Sequence, residues 1–404
     1  MADPTVMNRD VIVVGAGQAA AQLALSLRAG GFRDRILMIG AERFPPYQRP
    51  PLSKRFLTER REPETLLLRP QTLWRDQGIE LVLGRTVGAL DLARRTLTTM
   101  DGQEHRYGTL VLATGTRARA LTGPGAALEG VFSLRSIDDV HRLRAALDAA
   151  RRIVIVGGGY IGLEVAAVMR QEGRDVTVLE GEDRLLKRVT GTDVSAFFET
   201  LHRERGVDIR LGARLAEVTG DGAVSGVRLA DGARVAADVV LLAIGSQAND
   251  DLGRSAGLPC RDGILVDTLA RTTVPDVYAI GDCTRFPSGR FGRHIRLESV
   301  QNAIDQAKAA ASAILGTPRP YDPVPWFWSD QYEIKLQMAG LSDGYDGAEV
   351  VGDRAAPRFS VEYRGGGRLI AVDAVNDARA HMTARRRIAE ECASGEAPEP
   401  VRSA

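Results

Sequence analysis

The apolar residues of this chain gather in short unbroken runs rather than in alternation. Residues 11–14, Val-Ile-Val-Val, are the first run, and a strand apolar at every position is buried on both faces, as in a parallel sheet. Gly15-Ala16-Gly17-Gln18-Ala19-Ala20 follows, then an Ala- and Leu-rich helical stretch over 20–29 and a second strand over 35–39, ending near Glu42. An irregular stretch with a short helix covers 62–78. Strands are expected at 79–83 and 95–99, with Asp101-Gly102 as a hairpin turn. Residues 110–115 read as a buried strand ending in small residues. Residues 136–150 have the spacing of an amphipathic helix, with Asp138 and Asp139 where a helix start favours acids.

The opening pattern then returns. The run at 152–156 leads into Gly157-Gly158-Gly159-Tyr160-Ile161-Gly162, a helix through Gln171, and a strand over 175–179 that ends at Glu180. Even the ends match, since 239–245 echoes 110–115. In such a unit Gly15 makes the tight turn, Gly17 lets backbone approach a pyrophosphate, and the small Ala20 lets helix and strand pack closely. The helix start offers unpaired N–H groups to phosphates, and an acid ending the second strand takes ribose hydroxyls. One glycine loop is weak evidence, because tight strand-to-helix turns also occur in sheets that bind nothing. Two complete units with matching ends point to two nucleotide-binding domains.

Beyond the second unit, 277–282 is another apolar strand, stopped by Gly281-Asp282 at the end where open α/β sheets bind ligands. A helix is expected from about 300 to 315, then a Pro-rich linker over 317–325. Trp326-Phe327-Trp328, strand-like segments at 348–351, 359–363 and 369–375, and a helix after Asp377 suggest a small α+β domain. The tail from Ser394 is expected to be disordered. The fold class is therefore α/β, two Rossmann-like dinucleotide-binding domains plus a small α+β carboxy-terminal domain. The first domain is expected from 1–115 with 246–322, the second from 116–245, and the third from 323–404.

Composition narrows the partners. The 404 residues carry 26% charged side chains and a formal net charge of +1, so nothing draws the whole molecule to nucleic acid or an anionic membrane. The stretch from Met1 to Asp10 has no basic and apolar leader, and no apolar run is long enough to span a bilayer. The three cysteines, Cys260, Cys283 and Cys392, are too far apart for a C-x-x-C pair or zinc spacing, so no metal is expected. A cytoplasmic protein fits these features.

The two glycine loops, Pro50-Pro51-Leu52-Ser53-Lys54, Ala113-Thr114-Gly115, Ala279-Ile280-Gly281-Asp282 and Trp326-Phe327-Trp328-Ser329-Asp330-Gln331 together resemble the FAD-dependent, NADH-linked ferredoxin reductases. That family supplies electrons to bacterial cytochrome P450s and ring-hydroxylating dioxygenases. Several of the motifs are shared with apoptosis-inducing factor, monodehydroascorbate reductase and rubredoxin reductase. The resemblance runs from about 8 to 393 and implies a glutathione-reductase-like architecture.

It also implies which coenzyme goes where. FAD would sit at Gly15, Gly17, Ala19 and Ala20, with Lys54, Val87, Thr114, Gly115, Arg135, Asp282 and Val300 at matching positions. Some relatives carry an acid directly after the glycine matching Gly40. Here Ala41 stands there, so the ribose is assigned to Glu42. The nicotinamide coenzyme would sit at Gly157, Gly159, Tyr160, Ile161 and Gly162, with Glu164 and Gly245, and with Glu298 and Trp328 lining the nicotinamide side. Glu180 favours NADH over NADPH, because a 2′-phosphate would meet a like charge. Arg184, four positions on, keeps NADPH open. Lys54 and Glu164 would be the catalytic pair at the flavin N5 edge, although either alone would ordinarily be a surface charge. Asp282 could otherwise cap the following segment. Trp328 could otherwise be core packing of the small domain.

The electron acceptor decides the function. A reduced flavin can release electrons one at a time, and a dithiol reductase would need cysteine early in the chain, where there is none before Cys260. Cys283 reads as a small buried thiol. An acidic [2Fe–2S] ferredoxin is the expected partner, docking on a basic face that includes Arg69, Lys308 and Lys335. Arg385-Arg386-Arg387 reads as a solvated face instead. The alternatives are rubredoxin, a quinone-like small molecule, or a redox-sensing role like that of apoptosis-inducing factor. The last would call for targeting segments, and none is seen.

Overall fold

The computed structural model describes residues 9–393, so most of the segment read as lacking a leader and the tail from Ser394 lie outside the described residues. Five parallel strands form the first sheet, in the order Val277–Ala279, Thr109–Leu112, Val11–Val14, Ile36–Gly40, Ile79–Leu83. Val11 and Val13 enter one apolar cluster while Ile12 and Val14 enter another, which is why the run never alternates. The helices Gln18–Ala29 and Val300–Ile314 cover one face through small side chains such as Ala20, Ala24, Ala303 and Ala307.

A second parallel sheet repeats the first, in the order Asp208–Arg210, Asp175–Leu179, Arg152–Val156, Val239–Leu242, Val131–Ser133. The glycine turns explain why the repeat includes the strand ends. Gly15 has φ +118° and Gly157 φ +109°, and a Cβ there would sit 2.2 Å from Ala113 O or 2.4 Å from Ala243 O. Each turn presses on the end of its own matching run.

The two expected strands are present, and Asp101-Gly102 lies in the hairpin turn between Thr96–Thr99 and Glu104–Arg106. The strand Ile79–Leu83 is the edge of the first parallel sheet, and Thr96–Thr99 lies between Val87–Asp91 and Glu104–Arg106 in a separate antiparallel sheet. Val87–Asp91 gives no apolar signal because Gly88 and Ala89 are exposed.

The chain leaves the first sheet along Thr116–Ala118 and returns along Ser246–Ala248, and the two crossings pair antiparallel. Thr114 Oγ1 donates to Asn249 O at 2.6 Å, and Asn249 Nδ2 donates to Thr114 O at 2.9 Å. The carboxy-terminal sheet is antiparallel, ordered Trp326–Gln331, Ile334–Gly340, Arg368–Val375, Arg358–Gly365, Gly347–Asp353. Its first two strands add to the three expected ones, and the helix Ala378–Ala393 packs on it through Ala384 and Ile388. One apolar cluster runs through all three parts, taking in Tyr47 and Phe56, then Ile155 and Phe198, then Phe359 and Tyr363. Among the described residues no helix is long and apolar enough to cross a membrane.

Candidate active site

Both glycine turns open on one cavity of about 1800 Å³, walled by all three parts of the molecule. The helix Gln18–Ala29 starts at Gly17 and the helix Tyr160–Gln171 at Gly159. Neither carries a side-chain cap or an acid in its first turn, and a Cβ on either glycine would meet nothing. Their first amides are therefore turned to whatever anion the cavity holds. The helix Ile137–Leu147 shows the contrast, since Ser136 and Asp139 close a full capping box on it.

Lys54 and Glu164 meet at the centre. Lys54 Nζ lies 2.8 Å from Glu164 Oε2, and Ser53 Oγ donates to the same oxygen at 2.5 Å. Ser329 Oγ donates to Glu164 Oε1 at 2.7 Å. The carboxylate is only 4% exposed, so the surface position ordinary for either residue alone does not hold here. Each part of the molecule contributes. Pro50 and Pro51 start a short 3₁₀ turn that aims Ser53 and Lys54 inward, Glu164 comes from the helix of the second sheet, and Ser329 comes from the third sheet. Three donors offset the cost of burying the charge.

Residues 9–307 match the pyridine nucleotide-disulphide oxidoreductase family, and residues 326–398 match the reductase C-terminal domain. The chain belongs to that family. It is 46% identical to the 5,5′-dehydrodivanillate O-demethylase ferredoxin reductase subunit of Sphingobium sp. (strain NBRC 103272 / SYK-6), over 93% of this chain and 92% of that one. Among solved structures it resembles the ferredoxin reductase for the CYP199A2 system from Rhodopseudomonas palustris, with 41% identity, TM-score 0.92 and 94% of each chain covered. It also resembles the reductase in the covalent putidaredoxin reductase–putidaredoxin complex, with 40% identity, TM-score 0.91, and 95% and 93% covered. These place it with the ferredoxin reductases, FAD-dependent oxidoreductases that use NAD(H). The site fits two such dinucleotides, because it has two uncapped helix starts, two bare glycines and a cavity large enough for both.

All the expected site residues of this reductase line the cavity except Ala20, Gly157, Gly162 and Glu180. Ala20 and Gly162 sit where helix meets turn, and a Cβ on Gly162 would be 2.1 Å from Gly157 O. Glu180 turns onto its own glycine loop, where its oxygens accept from Gly158 N at 2.7 Å and Glu182 N at 2.9 Å. Strand register explains the misplaced acid of the first copy. Val14 pairs with Ile39 and Val156 with Leu179, so Gly40 is the counterpart of Glu180. A Cβ on Gly40 would lie 2.7 Å from the Ala16 methyl, whereas Gly158 leaves that space to Glu180. The acid of the first copy therefore comes from farther along, at Glu42.

Glu42 is held by residues that sequence reasoning passed over. Tyr47 OH donates to Oε2 and Arg49 to Oε1, both at 2.5 Å, and Arg49 also donates to Arg135 O at 2.7 Å. Arg135 in turn pairs with Asp282 at 3.1 Å. Burial pushes the Asp282 carboxyl up, with Arg135 opposing. Asp282 caps no helix, since a strand, Thr284–Ser288, follows its turn. Burial also acts to raise the Glu298 carboxyl, but the Ser246 hydroxyl and the Arg296 guanidinium outweigh it and hold it below its ordinary value.

Arg184 lines the cavity with its guanidinium already engaged, donating to Thr190 O at 2.8 Å and Ser195 Oγ at 2.6 Å. The Tyr160 ring lies 5.0 Å from that of Phe327, and Trp328 stacks on Trp326 at 5.7 Å. Arg69, Lys308 and Lys335 are exposed and none lines the cavity. Lys308 is beside Asp305 at 3.2 Å and Lys335 beside Asp330 at 3.6 Å. Arg385 and Arg386 are exposed, but Arg385 lies over the Trp326 ring and Arg387 pairs with Glu362. Cys260 and Cys283 are both away from the cavity wall, and Cys283 is fully buried.

Proposed function

We propose that this chain is an NADH-dependent reductase that passes electrons through FAD, one at a time, to a [2Fe–2S] ferredoxin. That ferredoxin would serve a cytochrome P450 or a ring-hydroxylating dioxygenase in the cytoplasm. The observation that carries the reading is the single cavity with two glycine-started helices on it, a buried Lys–Glu pair between them, and no cysteine among the described residues of its wall. FAD would be held by 1–115 with 246–322, NADH by 116–245, and 323–404 would close the site.

FAD, when bound, would supply acceptance of a hydride from NADH and release of single electrons, chemistry that belongs to the coenzymes. The chain's own residues hold and orient. Lys54 places a positive charge where negative charge builds on reduction, and Glu164 keeps the ammonium in one position. Tyr160 and Phe327 wall off water on the nicotinamide side. Glu42 would take the FAD ribose. Glu180 would meet the ribose of NADH and disfavour a 2′-phosphate, and Arg184, tied to Thr190 and Ser195, supports NADH further. An acidic ferredoxin would dock on a basic face that includes Arg69, Lys308 and Lys335.

The test is cytochrome c reduction by NADH and the purified protein. Reduction is expected only when a [2Fe–2S] ferredoxin is added. If rubredoxin supports it and ferredoxin does not, the acceptor is wrong. A preparation without flavin absorbance would end the reading altogether.

A further inference from the structure

Behind the Lys54–Glu164 pair runs a line of fully buried polar side chains. Ser329, Gln331 and His202 each have 0% exposure. Ser329 and Gln331 lie two apart on the strand Trp326–Gln331 and so share a face, while His202 comes from the helix Thr192–Glu204. Gln331 Nε2 lies 3.3 Å from Ser329 Oγ, and Gln331 Oε1 lies 2.8 Å from His202 Nε2. Buried polar groups are costly unless paired, and apolar side chains would fill the same space.

The donor inventory fixes the direction of this line. An amide nitrogen only donates, so Ser329 Oγ accepts from Gln331, and its single hydroxyl hydrogen is left for Glu164 Oε1. With its nitrogen so turned, Gln331 shows its oxygen to His202, and His202 Nε2 must carry the hydrogen. Burial pushes His202 down to about 4, so the ring stays neutral at working pH. Its Nδ1 has no partner among the described residues and the Tyr332 ring lies 5.1 Å away, so Gln331 is the contact that decides its tautomer.

We propose that His202 and Gln331 are positioning residues of the reductase: they fix the direction of the Ser329 hydroxyl, and through it hold Glu164 and Lys54 in one orientation at the cavity. This rests on the assignment of Lys54 and Glu164 to the reacting edge.

The test uses the flavin-loaded protein and follows flavin bleaching at saturating NADH. Gln331→Met and Ser329→Ala are each expected to slow it about tenfold, with the half-saturating NADH concentration unchanged. The two act in series, so the double variant should be no slower than either single one. Losses that multiply to about a hundredfold would mark two independent packing defects and overturn the proposal. Once ionised, Gln331→Glu can only accept from Ser329 and turns its hydroxyl away from Glu164, so at a pH where it is ionised it should be slower still than Gln331→Met. Equal or faster bleaching would contradict the proposal, and if Gln331→Glu does not fold the Met and Ala variants decide.

A second readout is independent of turnover. In ¹⁵N-histidine-labelled holoenzyme, His202 should be the Nε2–H tautomer with a slowly exchanging hydrogen, and that protection should be lost in Gln331→Met. An Nδ1–H tautomer would overturn the line as drawn. Glu164→Gln separates the two levels. If it bleaches at the normal rate, the assignment of the charge pair fails. If it is slow while the Gln331→Met and Ser329→Ala variants are normal, only the positioning role fails.

Discussion

Asp373 is a carboxyl group at the cavity wall with 2% exposure, and its hydrogen bond is from Tyr363 OH at 2.8 Å. Tyr363 OH in turn accepts from Gly191 N at 2.9 Å. Burial pushes Asp373 up to about 7, against a weaker opposing effect of the Tyr363 hydroxyl. A carboxyl raised in the folded state contributes stability that is complete below its unfolded pKa of about 4 and lost as pH rises through its folded value. Asp373→Asn keeps an acceptor for Tyr363 and removes the charge. It is expected to melt above the parent protein at pH 8, by an amount worth a few kcal/mol (about 1–3). The advantage should shrink on acidification and vanish near pH 4, and melting curves that stay parallel from pH 5 to 8 would rule this out. Side chains of this kind are hard to read from sequence. Lys54 and Glu164 stand in motifs and were legible, but Ser53 and Ser329, next to legible neighbours, were not. Which of two adjacent side chains turns inward depends on the 3₁₀ turn at Pro50–Ser53 and on the strand face at Ser329, and neither is written in residue type.

The two strand–turn–helix elements were the most legible part of the fold, because the glycine at each turn is required by positive φ and by contact with a neighbouring carbonyl. Their differences were less so. The exchange of Ala16 and Gly40 for Gly158 and Glu180 is a matter of which partner supplies the small side, and it appears only when the strands are in register. The first copy tolerates a methyl at Ala20, while the second has no room at Gly162. Gly162→Ala is therefore expected to leave flavin content unchanged and raise the half-saturating NADH concentration by about tenfold or more. Normal NADH saturation in the variant would show that the turn can yield. The strand Val87–Asp91, exposed at Gly88, Ala89 and Asp91, had no apolar pattern to find, and tertiary pairing makes it a strand.

At the scale of the whole molecule, the largest apolar cluster joins side chains of all three parts, beside smaller clusters that lie within each of them. Chains of this length commonly unfold domain by domain. Here a shared core predicts one cooperative transition, with flavin release and Trp fluorescence changing together. Trp74 reports the first sheet, and Trp326 and Trp328 report the third. Calorimetry resolving two separated transitions would show the parts to be independent. The paired crossings, Thr116–Ala118 beside Ser246–Ala248, carry a different consequence. They bring the entrance and exit of the second unit within a strand spacing of about 4.8 Å. A gap that narrow is what a gene duplication nested inside its own parent would need, because the ancestral sheet could admit a complete second copy without its flanking ends moving apart.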